Sequence, residues 1–220
     1  AEKLKPYVAD TSFVLDRENK NGKKILFEGA QGSQLDIDYG TYPYVTSSNT
    51  AAGNASCGSG IGANAINKVV GICKAYTTRV GEGPFPTELH DEIGEHMQKV
   101  GQEFGATTGR KRRCGWLDIV LVRQAIRISG VTDLAITKLD VLTGLDKIKI
   151  CVGYKTPAGD YTHAVPADIR ILSQCRPVYE EFPGWKEDIS PARKMDELPL
   201  SARKYLNRLE ELAQARISLV

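Results

Sequence analysis

The sequence predicts an α/β fold with a largely parallel sheet covered by helices. Short apolar runs, typical of buried strands, alternate along the 220 residues with segments whose apolar positions have helical spacing. Small-residue or polar loops directly follow several of these runs. With 41% hydrophobic and 25% charged residues, the chain also has the composition of a globular protein. Alternation of strands and helices in this manner favours parallel strands joined by helical crossovers.

The first predicted strand covers residues 24–28, a short apolar run that Gly29 ends. A loop of small and polar residues follows it as far as Gln34. A second polar loop, residues 44–50, leads into a stretch rich in glycine and alanine, residues 51–62, in which little core can form. Ligands bind beyond the carboxyl ends of strands in α/β sheets, so the loop after the first strand is a candidate ligand site.

Two helices are predicted in the next third of the chain. Residues 63–76 carry apolar side chains at helical spacing, namely Ala65, Val69, Ile72, Cys73 and Tyr76. A short strand is predicted at residues 78–81. Thr87 then has the character of an N-cap for a helix that ends at Gly105. The apolar stripe of this second helix consists of Leu89, Ile93, Met97, Val100 and Phe104.

The remaining elements continue the alternation. Residues 116–128 are predicted to form a more buried helix, residues 134–142 a strand, and residues 147–154 another strand. Residues 155–191 hold five of the ten prolines, which favours short strands and loops. A last amphipathic helix leads to a terminal apolar strand at residues 217–220. One face of that helix consists of Ala202, Tyr205, Leu206, Leu209, Leu212 and Ala213.

Composition argues against several classes of protein. A formal charge of +2 and a pI near 8.3 give no broad basic field, which argues against nucleic acid as the main partner. Five widely spaced cysteines without a C-x-x-C pair indicate neither a disulfide framework nor a zinc site. The longest apolar runs are far shorter than the roughly 20 residues that cross a bilayer. We therefore expect a soluble, cytoplasmic protein with no membrane partner.

The stretch of residues 135–140 has the chemistry of a guanine reader, because an apolar run is closed by a Lys-x-Asp pair. The carboxylate of Asp140 can accept from guanine N1–H and from the exocyclic amine together, while the methylene stem of Lys138 can lie along the ring face. Adenine offers no such pair of donors. The alternative interpretation is a surface lysine and aspartate that follow a strand.

A guanine reader is expected to occur together with a G-x-x-x-x-G-K-[ST] phosphate loop. The segment Gly22-Lys23-Lys24 comes closest, but no glycine stands five residues before Gly22 and no Ser or Thr follows Lys23. Only half of a nucleotide site is therefore recognisable.

A basic loop, residues 106–113, joins two hydroxyls, a glycine and four cations between two predicted helices. Arginine forks bind carboxylates and phosphates through two parallel hydrogen bonds, which lysine does not do as well. The loop could therefore wrap an anionic substrate. A solvated basic turn, or a localisation or nucleic-acid patch, is the alternative.

Five motifs together resemble the adenylosuccinate synthetase family. They are residues 27–32, residues 36–50, residues 79–88, residues 105–113 and residues 137–140. The likeness spans about residues 21 to 220, and the family chain is about twice as long. The resemblance implies that residues 1–220 are the C-terminal portion of a single domain of P-loop NTPase-like fold, without the N-terminal half that carries the phosphate loop.

The resemblance also implies a reaction. In this family, GTP as co-substrate phosphorylates the 6-oxygen of IMP, and L-aspartate then displaces the phosphate. The products are adenylosuccinate, GDP and phosphate, as a step of de novo AMP biosynthesis. Mg2+, a homodimer and the cytoplasm belong to the same expectation. The alternative is a non-catalytic fragment that binds nucleotides or anions.

Roles for individual residues come from the same resemblance. The IMP contacts would be Gln31, near the 6-oxygen and a candidate oxyanion contact, with Thr46, Val80 and Arg110. The aspartate contacts would be Ala106, Thr107, Thr108, Gly109, Arg110 and Arg112. The GTP contacts would be Arg112, Lys138, Leu139 and Asp140. The catalytic acid and base and the Mg2+ ligands would lie in the N-terminal half, so none is assigned in this chain.

Overall fold

The computed structural model of the protein describes residues 2–105 and 109–220. In this part of the chain the α-helices are α1 (Thr11–Lys20), α2 (Asn54–Ser59), α3 (Glu92–Val100), α4 (Ile119–Ser129), α5 (Ile169–Leu172) and α6 (Leu200–Ala213). The strands are β1 (Val70–Lys74), β2 (Thr77–Arg79), β3 (Arg113–Gly115), β4 (Leu117–Asp118), β5 (Asp133–Thr137), β6 (Lys147–Lys155), β7 (Tyr161–Thr162), β8 (Arg176–Pro183) and β9 (Arg216–Leu219).

A three-stranded parallel sheet in the order β1-β5-β9 organises the fold. Lys74, the last residue of β1, pairs with Thr137, the last residue of β5. The backbone N–H of Ala75 then donates to the carbonyl of Thr137 at 2.9 Å. The segments that leave β1 and β5 therefore begin side by side, at the carboxyl edge where α/β sheets bind ligands. An α/β fold with a parallel sheet is confirmed.

A second, mixed sheet is built around β6. This strand runs parallel to β4 and antiparallel to β7 and β8. The sequence analysis expected only short strands in this proline-rich region, yet β8 has eight residues. Prolines are tolerated in β8 because this strand pairs only with β6 among the described residues, so its other edge needs no ladder hydrogen bonds. A separate antiparallel pair, β2 with β3, carries the segments on either side of α3.

The core lies between the sheets and the helices α4 and α6. The predicted face of α6 is confirmed, because all six of its residues are buried: Ala202, Tyr205, Leu206, Leu209, Leu212 and Ala213. The Tyr205 hydroxyl donates to the carbonyl of Ala75 at 2.7 Å, which fixes α6 against the end of β1. A buried hydroxyl needs such a partner, so this bond also specifies how the helix is seated.

The helix predicted at residues 116–128 is confirmed as α4, although it begins later. Trp116 precedes β4, and Asp118 is the N-cap, with its carboxylate accepting from two backbone N–H groups of the first turn. Gly130 ends the helix in the left-handed conformation, with φ of 61°.

The helix predicted from Thr87 to Gly105 exists as α3, but both of its predicted ends are wrong. Asp91 is the N-cap and accepts from two backbone N–H groups at 3.1 and 3.0 Å. Thr87 is instead fully buried, and its carbonyl accepts from the backbone of Trp116. The helix stops at Gly101, so the last residues of the predicted helix form a turn that leads to the basic loop.

The helix predicted at residues 63–76 is wrong. Ala63–Ala65 form a single 3-10 turn, and β1 follows. The run from Val69 to Ile72 is rich in β-branched side chains, which favour strands. Gly71 allows close packing, because a Cβ at this position would lie 3.0 Å from the side chain of Val131. Helical spacing of apolar residues in so short a run does not distinguish a helix from a buried strand.

The strand predicted at residues 24–28 is also wrong for the described structure. These residues form no ladder, and Leu26 is 91% exposed. A strand requires a neighbour that accepts and donates its backbone hydrogen bonds, and the described part of the chain supplies none here.

The strand predicted at residues 134–142 is shorter than expected. It begins at Asp133 and ends at Thr137, because Lys138 adopts the left-handed conformation with φ of 62°. A 3-10 turn, Leu139–Leu142, follows. Lys138 and Asp140 therefore lie in the turn after the strand and not within it.

Three further predicted strands are confirmed, since β2, β6 and β9 cover residues expected to be extended. All five cysteines are free thiols. In the described ranges, every helix is too short or too polar to cross a bilayer.

Candidate functional site at the carboxyl edge of the parallel sheet

The Lys138–Asp140 turn presents its polar groups at the end of β5. Leu139 is buried and anchors the turn, whereas Lys138 and Asp140 are exposed on either side of it. Lys138 Nζ donates to the carbonyl of Gly101 at 2.8 Å, which ties this turn to the end of α3. The side chain of Leu139 is not available to a ligand, so a contact from this residue would have to come from its backbone. Asp140 is placed as a hydrogen-bond acceptor beyond the sheet.

Residues 36–51 form the loop that carries Thr46, which we call the Thr46 loop. It is organised by a buried carboxylate that the sequence analysis missed. Asp36 is fully buried, and its two oxygens accept from the backbone N–H groups of Asp38, Tyr39, Thr50 and Ala51. Burial acts to raise the pKa of Asp36, but these hydrogen bonds outweigh it and lower the pKa to about 2. Asp36 is therefore ionised at neutral pH and fixes the shape of the loop. An aspartate followed closely by Tyr39-Gly40 is the signal that could have revealed this turn.

Gln31 and Thr46 are placed on neighbouring segments. The backbone N–H of Thr46 donates to the carbonyl of Leu35 at 2.8 Å. The hydroxyl of Thr50 donates to the carbonyl of Gly32, next to Gln31, at 3.2 Å. Gln31 itself is exposed and left-handed, with φ of 62°. This conformation is uncommon outside glycine and turns the chain sharply at that residue.

Arg79 joins the Thr46 loop to the turn that contains Val80. Its guanidinium donates to the hydroxyl of Thr41 at 2.8 Å and to the carbonyl of Glu82, also at 2.8 Å. Arg79 is only 8% exposed, so this arginine is a buried brace. Val80 follows it directly and is 42% exposed, which leaves an apolar surface beside the polar loop.

The turn after Val80 lies against the basic loop. Arg113 donates to the carbonyls of Gly81 and Gly83 at 3.2 and 2.9 Å, and it pairs with Glu88 through two nitrogens. Nη1 of Arg110 lies 3.8 Å from the position that a Cβ would occupy at Gly81. Arg110 therefore lies near Gly81, the residue after Val80.

Three residues of the basic loop lie outside the described residues, namely Ala106, Thr107 and Thr108. The flanking residues close the loop, because Gly105 donates to the carbonyl of Arg110 and Gly109 donates to the carbonyl of Gly105, both at 2.8 Å. Gly109 is left-handed with φ of 62°, a conformation that glycine adopts without strain.

Arg112 is held by a cluster around the buried Glu103. We call Glu103, Lys74, Tyr76 and Arg112 the Glu103 cluster. The Glu103 carboxylate accepts from Arg112 Nη1 at 2.9 Å, from Lys74 Nζ at 2.7 Å and from the Tyr76 hydroxyl at 2.6 Å. Burial acts to raise the pKa of Glu103, but the hydrogen bonds from its three partners outweigh it, and the pKa is lowered. Sequence analysis missed Glu103, because its partners lie up to 29 residues away along the chain.

Comparison with known proteins gives these loops a family. The family model described as adenylosuccinate synthetase matches residues 1–220. The chain belongs to the adenylosuccinate synthetase family. Among curated members, the adenylosuccinate synthetase of Syntrophus aciditrophicus is 67% identical over 220 residues, which are 100% of this chain and 51% of that protein. That of Desulfosudis oleivorans is 60% identical over the same shares. The chain thus spans about half the length of the curated relatives it matches.

A solved structure of an adenylosuccinate synthetase has the same fold. The fully ligated enzyme from Plasmodium falciparum is 44% identical, with a TM-score of 0.95 over 98% of this chain and 51% of that chain. The match agrees with the parallel α/β architecture described above.

Contacts link the loops of this family member into two groups that meet in the basic loop. The segments of Gln31 and Thr46 are linked through Thr50 and Asp36, and Arg79 links the Thr46 loop to the turn after Val80, where Arg110 lies near Gly81. The Lys138–Asp140 turn is linked to Arg112 through the end of α3 and the Glu103 cluster.

Metal ligands were not predicted in this chain. Within residues 2–105 and 109–220, no three His, Cys, Asp or Glu side chains are grouped so that they could hold a metal ion.

Proposed function

We propose that the full-length protein containing this chain is an adenylosuccinate synthetase. It would ligate L-aspartate to IMP at the expense of GTP through 6-phosphoryl-IMP, giving adenylosuccinate, GDP and phosphate in de novo AMP biosynthesis. Membership of the family over residues 1–220 supports this reaction. The observation that carries the proposal is the basic loop, because it adjoins both the Val80 turn and, through Glu103, the Lys138–Asp140 turn. No observation favours the non-catalytic alternative.

Guanine selectivity is proposed for Asp140 and Lys138. The exposed carboxylate of Asp140 would accept from guanine N1–H and from the exocyclic amine. Lys138 donates its ammonium to a backbone carbonyl, so its methylene stem is held along one side of the turn, where a base could lie. Because Leu139 is buried, we assign to it a backbone contact only.

IMP would lie between the Thr46 loop and the Val80 turn. The amide of Gln31 would stabilise the negative charge that develops on the 6-oxygen. The hydroxyl of Thr46 would bind the phosphate of IMP, and the exposed face of Val80 would pack against the ribose. Arg110, adjacent to Gly81, would contact IMP and aspartate together.

L-Aspartate would bind in the basic loop. Its two carboxylates suit the forks of Arg110 and Arg112, which bind carboxylates through parallel hydrogen bonds. Residues 106–109 of the loop would complete the site. Arg112 would also reach GTP, so that the loop spans two substrates and orients the attacking amine.

The rest of the site is proposed to come from outside this chain. We propose that residues 1–220 are the C-terminal portion of one domain, and that the N-terminal half supplies the phosphate loop, the catalytic acid and base, and the Mg2+ ligands. When bound, Mg2+ neutralises charge on the transferring phosphate. A cytoplasmic homodimer is part of the same proposal. The isolated chain would then be inactive.

An omission assay tests the proposed reaction. The full-length protein is incubated with GTP, IMP and L-aspartate, and adenylosuccinate is measured by chromatography. We expect product only when all three substrates are present, and little product when ATP replaces GTP. Formation of product without aspartate or IMP, or equal rates with ATP, would contradict the proposal.

A further inference from the structure

We propose that Glu103 is a positioning residue for the basic loop. Its buried carboxylate would aim the guanidinium of Arg112 at the place where aspartate and GTP meet. This inference rests on the proposed function. It goes beyond the predicted contact residues, because Glu103 is fully buried and does not itself touch a substrate.

The first argument is the unusual setting of the carboxylate. Glu103 is 0% exposed, yet it is paired with two cations, Lys74 and Arg112. Ion pairs of this kind contribute little net stability, since the loss of hydration offsets the attraction between the charges. A fold that needed only a filled core could use apolar residues at these positions. The charged cluster is better explained by what it orients.

The second argument is that the backbone and the side chain of Arg112 are held separately. The backbone N–H of Arg112 donates to the carbonyl of Glu103 at 2.9 Å, and Gln98 Nε2 donates to the carbonyl of Arg112 at 3.0 Å. These bonds do not involve the Glu103 carboxylate. Removing its charge would therefore leave the chain path intact and release chiefly the guanidinium.

The third argument is the connection to the Lys138–Asp140 turn. Gly101, two residues before Glu103, accepts the bond from Lys138 Nζ. A Cβ at Gly101 would collide with the Tyr76 hydroxyl, so the end of α3 packs directly on the Glu103 cluster. Lys74 belongs to β1 and pairs with Thr137, which directly precedes Lys138. Glu103 thus lies where the ends of β1, β5 and α3 converge. A displacement of its partners would therefore also displace the Lys138–Asp140 turn.

The decisive variant is Glu103→Gln in the full-length protein. Glutamine preserves the size of the side chain but removes the charge that holds Lys74 and Arg112. We expect the KM values for aspartate and GTP to rise at least tenfold, while the KM for IMP changes less than twofold. A purely structural role predicts a different result, namely a lower kcat from a smaller folded fraction with all three KM values unchanged.

The matched control is Asp133→Asn. Asp133 is also buried and also paired with one lysine and one arginine, Lys68 and Arg216, but it lies at the opposite end of β5. Its loss should leave all three KM values within twofold of the wild-type values. Equal KM changes in both variants would overturn the proposal, because the effect would then come from losing any buried ion pair.

A gentler pair of variants decides the matter if Glu103→Gln does not fold. Tyr76→Phe removes one hydrogen bond to Glu103, and Tyr154→Phe removes an equivalent bond to the buried Asp118 in the mixed sheet. We expect a two- to fivefold rise in the aspartate and GTP KM values for Tyr76→Phe alone. Unchanged KM values would overturn the inference.

The two proposals fail in different ways. If the wild-type protein forms no adenylosuccinate, the proposed function fails. If it does and Glu103→Gln retains wild-type KM values, only the positioning role fails.

Discussion

Two buried carboxylates, one at the edge of the parallel sheet and one in the mixed sheet, have opposite electrostatic settings. Glu103 lies at the carboxyl edge of the parallel sheet, and Asp118 lies beside β6 in the mixed sheet. Both are at most 1% exposed, and each accepts a hydrogen bond from a tyrosine hydroxyl at 2.6 Å. Glu103 has two cationic partners as well, which lower its pKa. Burial raises the pKa of Asp118 to about 6, because only Tyr154 and two backbone N–H groups oppose it.

The difference shows that the hydrogen bonds and cationic partners of Glu103 outweigh its burial, whereas burial outweighs the hydrogen bonds of Asp118. Two cations, Lys74 and Arg112, pair with Glu103 at the edge of the parallel sheet. Asp118 caps α4 and belongs to the framework. Substitutions at the edge should therefore change substrate use, and those in the mixed sheet should change stability.

The largest effect is expected for Asp140→Asn in the full-length protein. Loss of two charge-assisted hydrogen bonds, roughly 1.5 to 3 kcal/mol each, should lower kcat/KM for GTP by about 100-fold or more. The asparagine amide can donate to the 2-carbonyl of xanthine, and inosine has no 2-amine whose bond is lost, so xanthine and inosine nucleotides should be favoured relative to GTP. Steady-state kinetics with each nucleotide measure this. The control is Asp146→Asn, which removes an exposed carboxylate that pairs with Lys186. An unaltered GTP preference in Asp140→Asn would show that Asp140 is not part of the guanine site.

A somewhat smaller effect is expected for Arg110→Leu. Loss of a guanidinium fork on a carboxylate should raise the aspartate KM by about 30-fold or more, because each charge-assisted bond contributes roughly 1.5 to 3 kcal/mol. Initial rates at varied aspartate concentration measure this change. Arg170→Leu is the control, since Arg170 is exposed and, within the described residues, pairs with Asp168. An aspartate KM equal to that of the control would refute the role of Arg110.

Asp118→Asn should change stability and its dependence on pH. The pKa of Asp118 is raised in the folded state to about 6, from an ordinary value of 3.8. The stability that protonated Asp118 contributes is therefore fully present below about pH 4 and is lost as the pH rises through about 6. Asparagine cannot ionise, so it avoids this loss. Across this window the free energy of unfolding of the variant, relative to that of the wild type, should therefore increase by on the order of 3 kcal/mol. Denaturant unfolding between pH 4 and 7 measures the difference. Parallel curves would show that Asp118 does not titrate there.

The smallest effect is expected for Tyr154→Phe. The Tyr154 hydroxyl acts to lower the pKa of Asp118, so its removal should raise that pKa further and move the pH window upward. The free energy of unfolding at neutral pH should fall by about 1 to 2 kcal/mol, as for a lost bond to a charged group. The same unfolding experiment applies. If the pH range over which stability changes is the same as in the wild type, Tyr154 does not stabilise the ionised form of Asp118.

Sequence patterns predicted the elements whose signals are local. The amphipathic face of α6 and the Lys138–Asp140 pair could both be recognised from spacing and side-chain chemistry. The segment that forms β1 was interpreted as a helix, because its pairing with β5 is more than 60 residues away along the chain, with Val70 opposite Asp133. Periodicity within a short run carries no information on such partners.

Sequence chemistry proposed candidate residues where a side chain would meet a ligand directly, and it missed residues that support another residue. Arg110 and Asp140 have side chains suited to substrates, so their chemistry suggested a role. Asp36 and Glu103 act on protein groups that are distant in sequence, and neither is part of a short motif with a known mechanism. Their importance became visible only from burial and hydrogen bonding.

A crystal structure of the full-length protein with GDP, IMP and L-aspartate tests most directly whether these loops form one site. We expect guanine N1–H and its amine within about 3 Å of the Asp140 carboxylate, and the aspartate carboxylates bound by Arg110 and Arg112, with Glu103 still paired to Arg112. A guanine base bound away from Asp140, or aspartate bound away from the basic loop, would contradict this assignment.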